Sequence, residues 1–161
     1  MLDEVDELVA AWARERPDLP VAPMQIWSRV HRLALHLDVA RRASFAELGL
    51  EPWEFDVLAA LRKAGEPYRL TPGQLLKETH VTSGTMTNRV DRLAGRGLVV
   101  RSSHPDDGRG VLVELTSKGR ELVDAALTAL LRVEDRLLTE ITPDERERLE
   151  RGLRALLTKQ R

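Results

Sequence analysis

Apolar residues recur three and four positions apart over most of the chain, which is the spacing of one helix face. Prolines, glycines and capping residues divide this pattern into separate segments. The chain is therefore predicted to be mainly helical. The helices are predicted over residues 2–13, 24–48, 52–63, 72–79, 83–95, 118–141 and 143–159.

Two short helices lie close together in the middle of the chain. Thr71 is placed to cap the first, because Pro72 follows at the first turn and Gln74 stands three residues after the cap. Thr82 or Ser83 caps the second. Two short helices joined by a turn of about three or four residues form a helix-turn-helix, although many helical pairs without a DNA function share this outline.

A pair of strand-like segments follows the second short helix. Residues 98–102 and 111–115 are rich in valine, and the segment 104–110 between them contains proline, aspartate and glycine, the residues of tight turns. A hairpin at this place is a wing, which lies along DNA beside the groove that the helix occupies. The predicted fold is mainly α with a small β wing. One structural domain is expected, with N-terminal dimerisation helices and a ligand cleft over 1–48, a winged helix-turn-helix over 49–115 and C-terminal dimerisation helices over 116–161.

The N-terminal and C-terminal helices together carry more leucine and alanine stripe than a compact DNA-binding core can cover. We expect their leucine and alanine stripes to interlock with a second subunit in a two-fold homodimer, and a closed monomer is the alternative. Eight residues of the penultimate helix are predicted to face inward: Leu122, Ala125, Ala126, Leu127, Leu130, Leu131, Leu137 and Leu138.

Charge is unevenly distributed along the chain, although the formal net charge is only −1. Residues 1–20 hold six acids against two arginines, whereas residues 77–120 hold eight Lys and Arg residues against five acids. An anionic partner is therefore expected to meet the second segment. Cysteine is absent, which removes disulfides, thiolate metal sites and cysteine nucleophiles and fits a reducing cytoplasm.

Enzyme signatures are missing from the sequence. It contains no phosphate loop, nucleophile elbow or His-Glu-x-x-His metal motif, and its four histidines have no spacing typical of a metal pair. We therefore expect no catalysis, cofactor or metal. The N-terminus lacks the basic and apolar regions of a signal peptide, and no segment is apolar enough to span a membrane. A cytoplasmic protein is expected.

The helix-turn-helix and the wing carry a family resemblance. Its residues are Leu70-Thr-Pro-Gly-Gln-Leu-Leu, Val81-Thr-Ser-Gly-Thr-Met-Thr-Asn-Arg-Val-Asp-Arg-Leu, Gly97-Leu-Val-Val-Arg and Pro105-Asp-Asp-Gly-Arg-Gly. They resemble the multiple-antibiotic-resistance regulator (MarR) family, and the resemblance extends over about residues 22–158. It implies a winged-helix dimer that binds double-stranded operator DNA and regulates transcription.

The second short helix supplies most of the candidate DNA contacts. At about 100° per residue, Met86, Val90 and Leu93 define its buried direction, and the opposite side faces the major groove. Asparagine can pair with adenine and arginine with guanine or phosphate, while small hydroxyl residues near the helix N-terminus can bind phosphates. A merely solvated polar face is the alternative. The candidates are Ser83, Gly84, Thr85, Thr87, Asn88 and Arg92, and Asp91 lies on the same side.

The wing adds two further candidates. In the family the wing commonly carries an Asp and an Arg two residues apart, and Asp107 and Arg109 stand at those places. The resemblance implies that Arg109 enters the minor groove. A guanidinium at a hairpin tip suits the narrow, electronegative minor groove of A·T-rich DNA, and a carboxylate beside it can fix its direction. A solvated turn is the alternative.

A ligand site is suggested by an arginine on the flank of the second short helix. Arg89 lies about 70° from the buried direction and so requires an anionic partner, either a structural carboxylate such as Asp56 or a ligand. The resemblance extends to the urate-responsive subgroup of the family, and Trp12, Asp56, Arg89 and Arg101 match its ligand residues in type and order. This match implies a planar anionic effector, stacked on Trp12 and held by the two arginines.

The expected function is a repressor that binds a palindromic operator as a homodimer and is released by a small anionic ligand such as urate. A related purine, a phenolic acid or another carboxylate would satisfy the same arginines. A ligand-independent DNA-binding protein is a further alternative. Trp27 and Trp53 are assigned to the core or an interface, without a ligand role.

Overall fold

The computed structural model describes residues 2–79, 81–104 and 107–159, and within them the side chains of 104 and 107–109 are outside the description. The chain divides into two compact units, Met1–Arg42 and Ala43–Arg161. The described residues form mainly helices with a short antiparallel hairpin, so the predicted fold class is confirmed. The elements are α1 (Glu4–Glu15), α2 (Met24–Ala46), α3 (Pro52–Lys63), β1 (Arg69–Leu70), α4 (Pro72–Thr79), α5 (Ser83–Gly95), β2 (Val99–His104), β3 (Asp107–Leu115), α6 (Ser117–Leu137) and α7 (Pro143–Thr158).

Asp3 caps the first helix of the first unit. Its carboxylate accepts from the backbone N–H groups of Val5 at 2.9 Å and Asp6 at 3.1 Å, and the Asp6 carboxylate accepts from Asp3 N–H at 2.9 Å. This reciprocal cap starts α1 two residues later than the predicted start at Leu2. The helix then continues beyond the predicted end at residue 13, to the last residues before Pro17.

Arg29 of α2 joins this cap by ion pairs. Its Nε lies 2.8 Å from Asp3 Oδ2 and its Nη2 lies 2.9 Å from Asp6 Oδ1. The hydrogen bond from Arg29 lowers the pKa of Asp3 below its ordinary value of 3.8. Arg29 also donates to the carbonyl oxygen of Gln25 at 2.8 Å. The arginine therefore ties the start of α1 to α2 within the first unit.

The core of the second unit lies among α3, α4, α5, α6 and the sheet. Two phenylalanine rings, Phe45 and Phe55, stack with their centroids 4.5 Å apart. Helix α2 ends at Ala46, two residues before the predicted end. Gly49, in the turn that follows, has a positive φ of 61°, which glycine adopts readily. Other fully buried side chains of this core are Val57, Leu58, Leu61, Leu75, Met86, Val90, Leu93 and Leu98.

The predicted hairpin is confirmed and is part of a three-stranded antiparallel sheet in the order β1-β3-β2. Val99 pairs with Leu115 across the hairpin, and Arg69 of β1 pairs with Glu114 on the other side of β3. Strand β1 was not predicted, because two residues are too few to show an alternating pattern. Its extended conformation depends on pairing with β3.

The start of α6 is fixed against the base of the hairpin. Thr116 caps the helix by accepting from Gly119 N–H at 3.0 Å, and its hydroxyl donates to the carbonyl oxygen of Gly97 at 2.8 Å. A Cβ on Gly119 would lie only 2.0 Å from the carbonyl oxygen of Leu98. The backbone just before β2 and the start of α6 therefore approach at a distance that only glycine permits.

The predicted end and inward face of α6 need correction. The helix stops at Leu137 rather than at residue 141, because the chain has to leave the helix before Thr142 can take the extended conformation that caps α7. Val123 and Val133 are buried although neither was predicted to face inward. Five predicted inward residues are exposed in this chain, namely Ala125, Leu127, Leu131, Leu137 and Leu138. In the described residues no helix is both long and apolar enough to cross a bilayer.

Candidate nucleic-acid interface

Helix α5 has one buried and one exposed face, as its sequence predicts. Met86, Val90 and Leu93 are buried in the core of the second unit. Their spacing directs the remaining side chains outward. The side chains on the exposed face belong to Ser83, Thr85, Thr87, Asn88, Asp91 and Arg92, with Gly84 among them.

Thr82 is the N-cap of α5 and is one of the two residues that were predicted to cap it. Thr82 has the extended backbone of an N-cap, but its hydroxyl bonds to the Thr85 hydroxyl at 3.0 Å and, within the described residues, makes no capping hydrogen bond to a backbone N–H. Gly84 has no atom within 4 Å of a Cβ position, so this turn is open. Free N–H groups at a helix N-terminus are suited to bind a phosphate.

Strand β2 of the wing contacts the exposed face of α5 through Arg101. Its Nη1 lies 2.8 Å from Asp91 Oδ1, and its Nη2 donates to the carbonyl oxygen of Thr87 at 3.4 Å. The pair neutralises the acid that α5 carries on its exposed face. A carboxylate facing DNA would otherwise repel phosphates, so Arg101 makes this face more suitable for an anionic partner.

Trp53, near the start of α3, lies beside two arginines of α5. The guanidinium carbon of Arg92 is 4.7 Å from the ring centroid of Trp53, and that of Arg89 is 5.5 Å away. Both distances allow cation–π attraction. Arg89 is half-buried, in agreement with its predicted place on the helix flank. Trp53 was assigned to the core or an interface, and the core assignment is confirmed in part, since the residue is partly buried and packs against the core.

An ion pair that sequence reasoning missed anchors the C-terminal end of α5. Glu54 is only 2% exposed, and its Oε2 lies 2.5 Å from Arg96 Nη1 and 2.9 Å from the N–H of Glu51. Arg96 also donates to the carbonyl oxygen of Gly49 at 2.9 Å. The signal available in the sequence was the run Glu51-Pro-Trp-Glu, in which Glu54 stands three residues after the cap of α3.

The predicted ligand residues have different surroundings. Asp56 lines a cleft of about 610 Å³ formed by α3, the end of α4 and α6, which also contains Leu127 and Leu131. Arg89 and Arg101 are not among the residues of this cleft. Trp12 belongs to the first unit and is 46% exposed. The assignment of these four residues to one ligand site stays a prediction.

The wing residues Asp107 and Arg109 lie in β3, where Asp107 pairs with His104 across the hairpin. Their side chains fall outside the described residues, so the DNA contacts assigned to them stay predictions. Within the described part of the chain, no group of three or more His, Asp or Glu residues is arranged to hold a metal ion.

A helix with a polar exposed face, preceded by a short helix and followed by an antiparallel hairpin, defines the winged helix-turn-helix class of DNA-binding proteins. Comparison with known proteins identifies the family within this class. The sequence profile of the MarR family matches residues 48–110. The chain is 34% identical over 154 residues to the HTH-type transcriptional regulator PecS of Dickeya dadantii, covering 96% of this chain and 90% of PecS. The chain belongs to the MarR family and is a DNA-binding transcriptional regulator.

Solved structures agree with this assignment. The chain is similar to a mutant MarR from E. coli complexed with operator DNA, with a TM-score of 0.70 and 28% identity over 88% of this chain and 96% of that one. It is also similar to Bordetella bronchiseptica BpsR, in a structure on the regulation of DNA binding by 6-hydroxynicotinic acid. That match has a TM-score of 0.68 and 26% identity, and covers 81% of this chain and 91% of BpsR.

Proposed function

We propose that this chain is a homodimeric repressor that binds a palindromic operator through α5 and the wing and is released by a small aromatic anion such as urate. The observation that carries the DNA-binding part is the exposed face of α5. Asn88 and Arg92 supply base-reading and phosphate-binding groups there, and the open N-terminus of α5 supplies backbone donors. Repression follows if the bound dimer covers a promoter.

The homodimer is supported by apolar side chains that the chain itself leaves uncovered. Leu131 of α6 and Leu157 of α7 are 54% and 72% exposed, and both belong to rows of leucines. Apolar surface of this kind is normally buried against a partner. A second copy also supplies a second α5, which a palindromic operator requires. The exposed leucines of these rows are Leu127, Leu131, Leu137, Leu138, Leu149, Leu153 and Leu157.

The ligand response is supported by the surroundings of Arg101 and Arg89, the two arginines of the predicted ligand site. Arg101 is paired with Asp91 at 2.8 Å, so an anion that binds Arg101 competes with Asp91 and restores a negative charge to the exposed face of α5. Arg89 is half-buried on the flank of α5 and carries the second guanidinium of the predicted site. By linkage, a ligand that lowers DNA affinity binds DNA-free protein more tightly by the same factor, about 5- to 150-fold.

The choice of ligand is open between urate and an aromatic carboxylate. The four-residue match to the urate-responsive subgroup favours urate. The similarity to BpsR, whose DNA binding is regulated by 6-hydroxynicotinic acid, favours an aromatic carboxylic acid as the second candidate. Both are planar anions, so the same arginines suit either.

A gel-shift titration tests the proposal. The protein is mixed at fixed salt with the DNA upstream of its own gene and excess random competitor, and urate, 6-hydroxynicotinate and a non-aromatic carboxylate are added separately. Release by urate that is weakened in Trp12→Phe and Arg89→Ala supports the urate site. Release by 6-hydroxynicotinate alone supports the second candidate.

Three outcomes would count against the proposal. If specific binding persists with every ligand, the proposed effector is wrong but the chain is still a DNA-binding regulator. A complex that random competitor removes discards operator recognition altogether. Sedimentation of the same protein measures its oligomeric state, and a monomer at the concentrations that bind DNA would exclude the dimer.

A further inference from the structure

We infer that Trp53 is a positioning residue for DNA recognition, which holds the guanidinium of Arg92 ready on the exposed face of α5. The inference rests on the proposed contact between Arg92 and DNA. Trp53 belongs to α3, and its ring is half-buried, with one part packed against the core of the second unit. Arg92 at 4.7 Å and Arg89 at 5.5 Å, one helical turn apart on α5, lie over the same ring.

The arginines near α5 are held in two different ways. Arg96 and Arg101 give N–H donors to the carboxylates of Glu54 and Asp91. Within the described part of the chain, Arg92 makes no ion pair with a carboxylate and lies over a ring instead. A guanidinium held over a ring by cation–π attraction is restricted without forming an ion pair with a carboxylate. Arg92 therefore retains its donors for a base edge or a phosphate while its orientation is restricted.

Restricting Arg92 before binding increases DNA affinity. A free arginine side chain loses rotamer freedom when it is ordered at an interface, and a side chain that is already ordered loses less. The indole of Trp53 provides this order because it is itself fixed by the core. We expect the loss of the ring to weaken operator binding about fivefold for each half-site.

Glu54, the neighbour of Trp53 on α3, acts on a different part of the helix. It pairs with Arg96 at the C-cap of α5 and so fixes the end of the helix backbone. Trp53 contacts side chains on the exposed half of α5. Glu54 therefore fixes the position of the helix, whereas Trp53 fixes the position of its DNA-contacting side chain.

The test is a double-mutant cycle on the operator found by the gel shift. Operator affinity is measured for Trp53→Leu, Arg92→Ala and the double variant, and thermal stability is measured for each. Tyr68→Leu is the matched control, because the Tyr68 ring also lies under two guanidiniums, of Arg62 at 4.9 Å and Arg120 at 5.8 Å, neither of which is on α5.

The inference predicts that Trp53→Leu weakens operator binding and that this effect disappears in the Arg92→Ala background, whereas Tyr68→Leu leaves operator affinity unchanged. Trp53→Phe keeps a ring and should retain most of the affinity, which also preserves the test if Trp53→Leu folds poorly. An equal loss in the presence and absence of Arg92 would show a purely structural role and overturn the inference.

The cycle also separates this inference from the proposed function. If Arg92→Ala weakens operator binding but Trp53→Leu does not, the DNA contact stands and the role of Trp53 is wrong. If Arg92→Ala leaves operator binding unchanged, the proposed contact is wrong and the inference falls with it.

Discussion

Replacing Arg96 by alanine removes the partner of the buried Glu54 carboxylate. The substitution deletes the contact of 2.5 Å to Glu54 and the hydrogen bond of 2.9 Å to the carbonyl oxygen of Gly49. Breaking a fully buried pair costs about 3–5 kcal/mol. The Arg96 side chain is 41% exposed, so water can partly replace it and the cost is smaller. We expect Arg96→Ala to lower the free energy of unfolding by about 2 kcal/mol and Tm by roughly 4–8 °C.

Thermal unfolding followed by circular dichroism measures this cost, at one protein concentration because dimerisation would shift Tm. Arg16→Ala is the matched control, since Arg16 bonds to Asp18 at 2.8 and 2.6 Å but both side chains are at least half exposed. It should cost less than about 1 kcal/mol. Adding Glu54→Gln to Arg96→Ala should recover stability, because it removes the unpaired charge. Equal losses for Arg96→Ala and Arg16→Ala would refute the reasoning.

Two further predictions concern the packing of α6 and the cap of α1. Gly119→Ala should lower the free energy of unfolding by more than about 1 kcal/mol, because its Cβ would lie 2.0 Å from the Leu98 carbonyl oxygen. Gly152→Ala, in an open helical position, should instead raise it by about 0.5–1 kcal/mol, and denaturant melts would contradict this if both variants behaved alike. The lowered pKa of Asp3 means that its contribution to stability is present above pH 3.8 and is lost as the pH falls through the folded value. An NMR titration should show the Asp3 pKa rising in Arg29→Ala, and an unchanged pKa would exclude the ion pair.

Local signals in the sequence were sufficient for the helix-turn-helix. The predicted bounds of α3 and α4 agree with the structure, because Pro52 and Pro72 stand at the first helical positions and no periodic pattern extends past Lys63 or Thr79. The buried stripe of α5 follows from periodicity alone, since only one face of a short helix can meet the core. The polar face opposite to it, and hence the candidate DNA contacts, follows from the same arithmetic.

Contacts between residues distant in the chain could not be predicted from the sequence. Glu54 and Arg96 are 42 positions apart, and no spacing rule joins them. Periodicity assigned Trp53 to the core or an interface, but it could not indicate that the ring would lie beside Arg89 and Arg92. The pairing of Arg101 with Asp91 likewise depends on how β2 lies beside α5. Side-chain partners across elements are set by tertiary packing rather than by local pattern.

The central claim is that the exposed face of α5 reads a specific DNA sequence as part of a symmetric dimer. Selection from a pool of random duplexes tests it most directly, with wild type and the Asn88→Ala/Arg92→Ala double variant run in parallel. The account predicts that wild type enriches a two-fold symmetric site with half-site centres about 10 base pairs apart, and that the variant loses this enrichment. An unenriched pool for the wild type, or the same site enriched by both proteins, would contradict it.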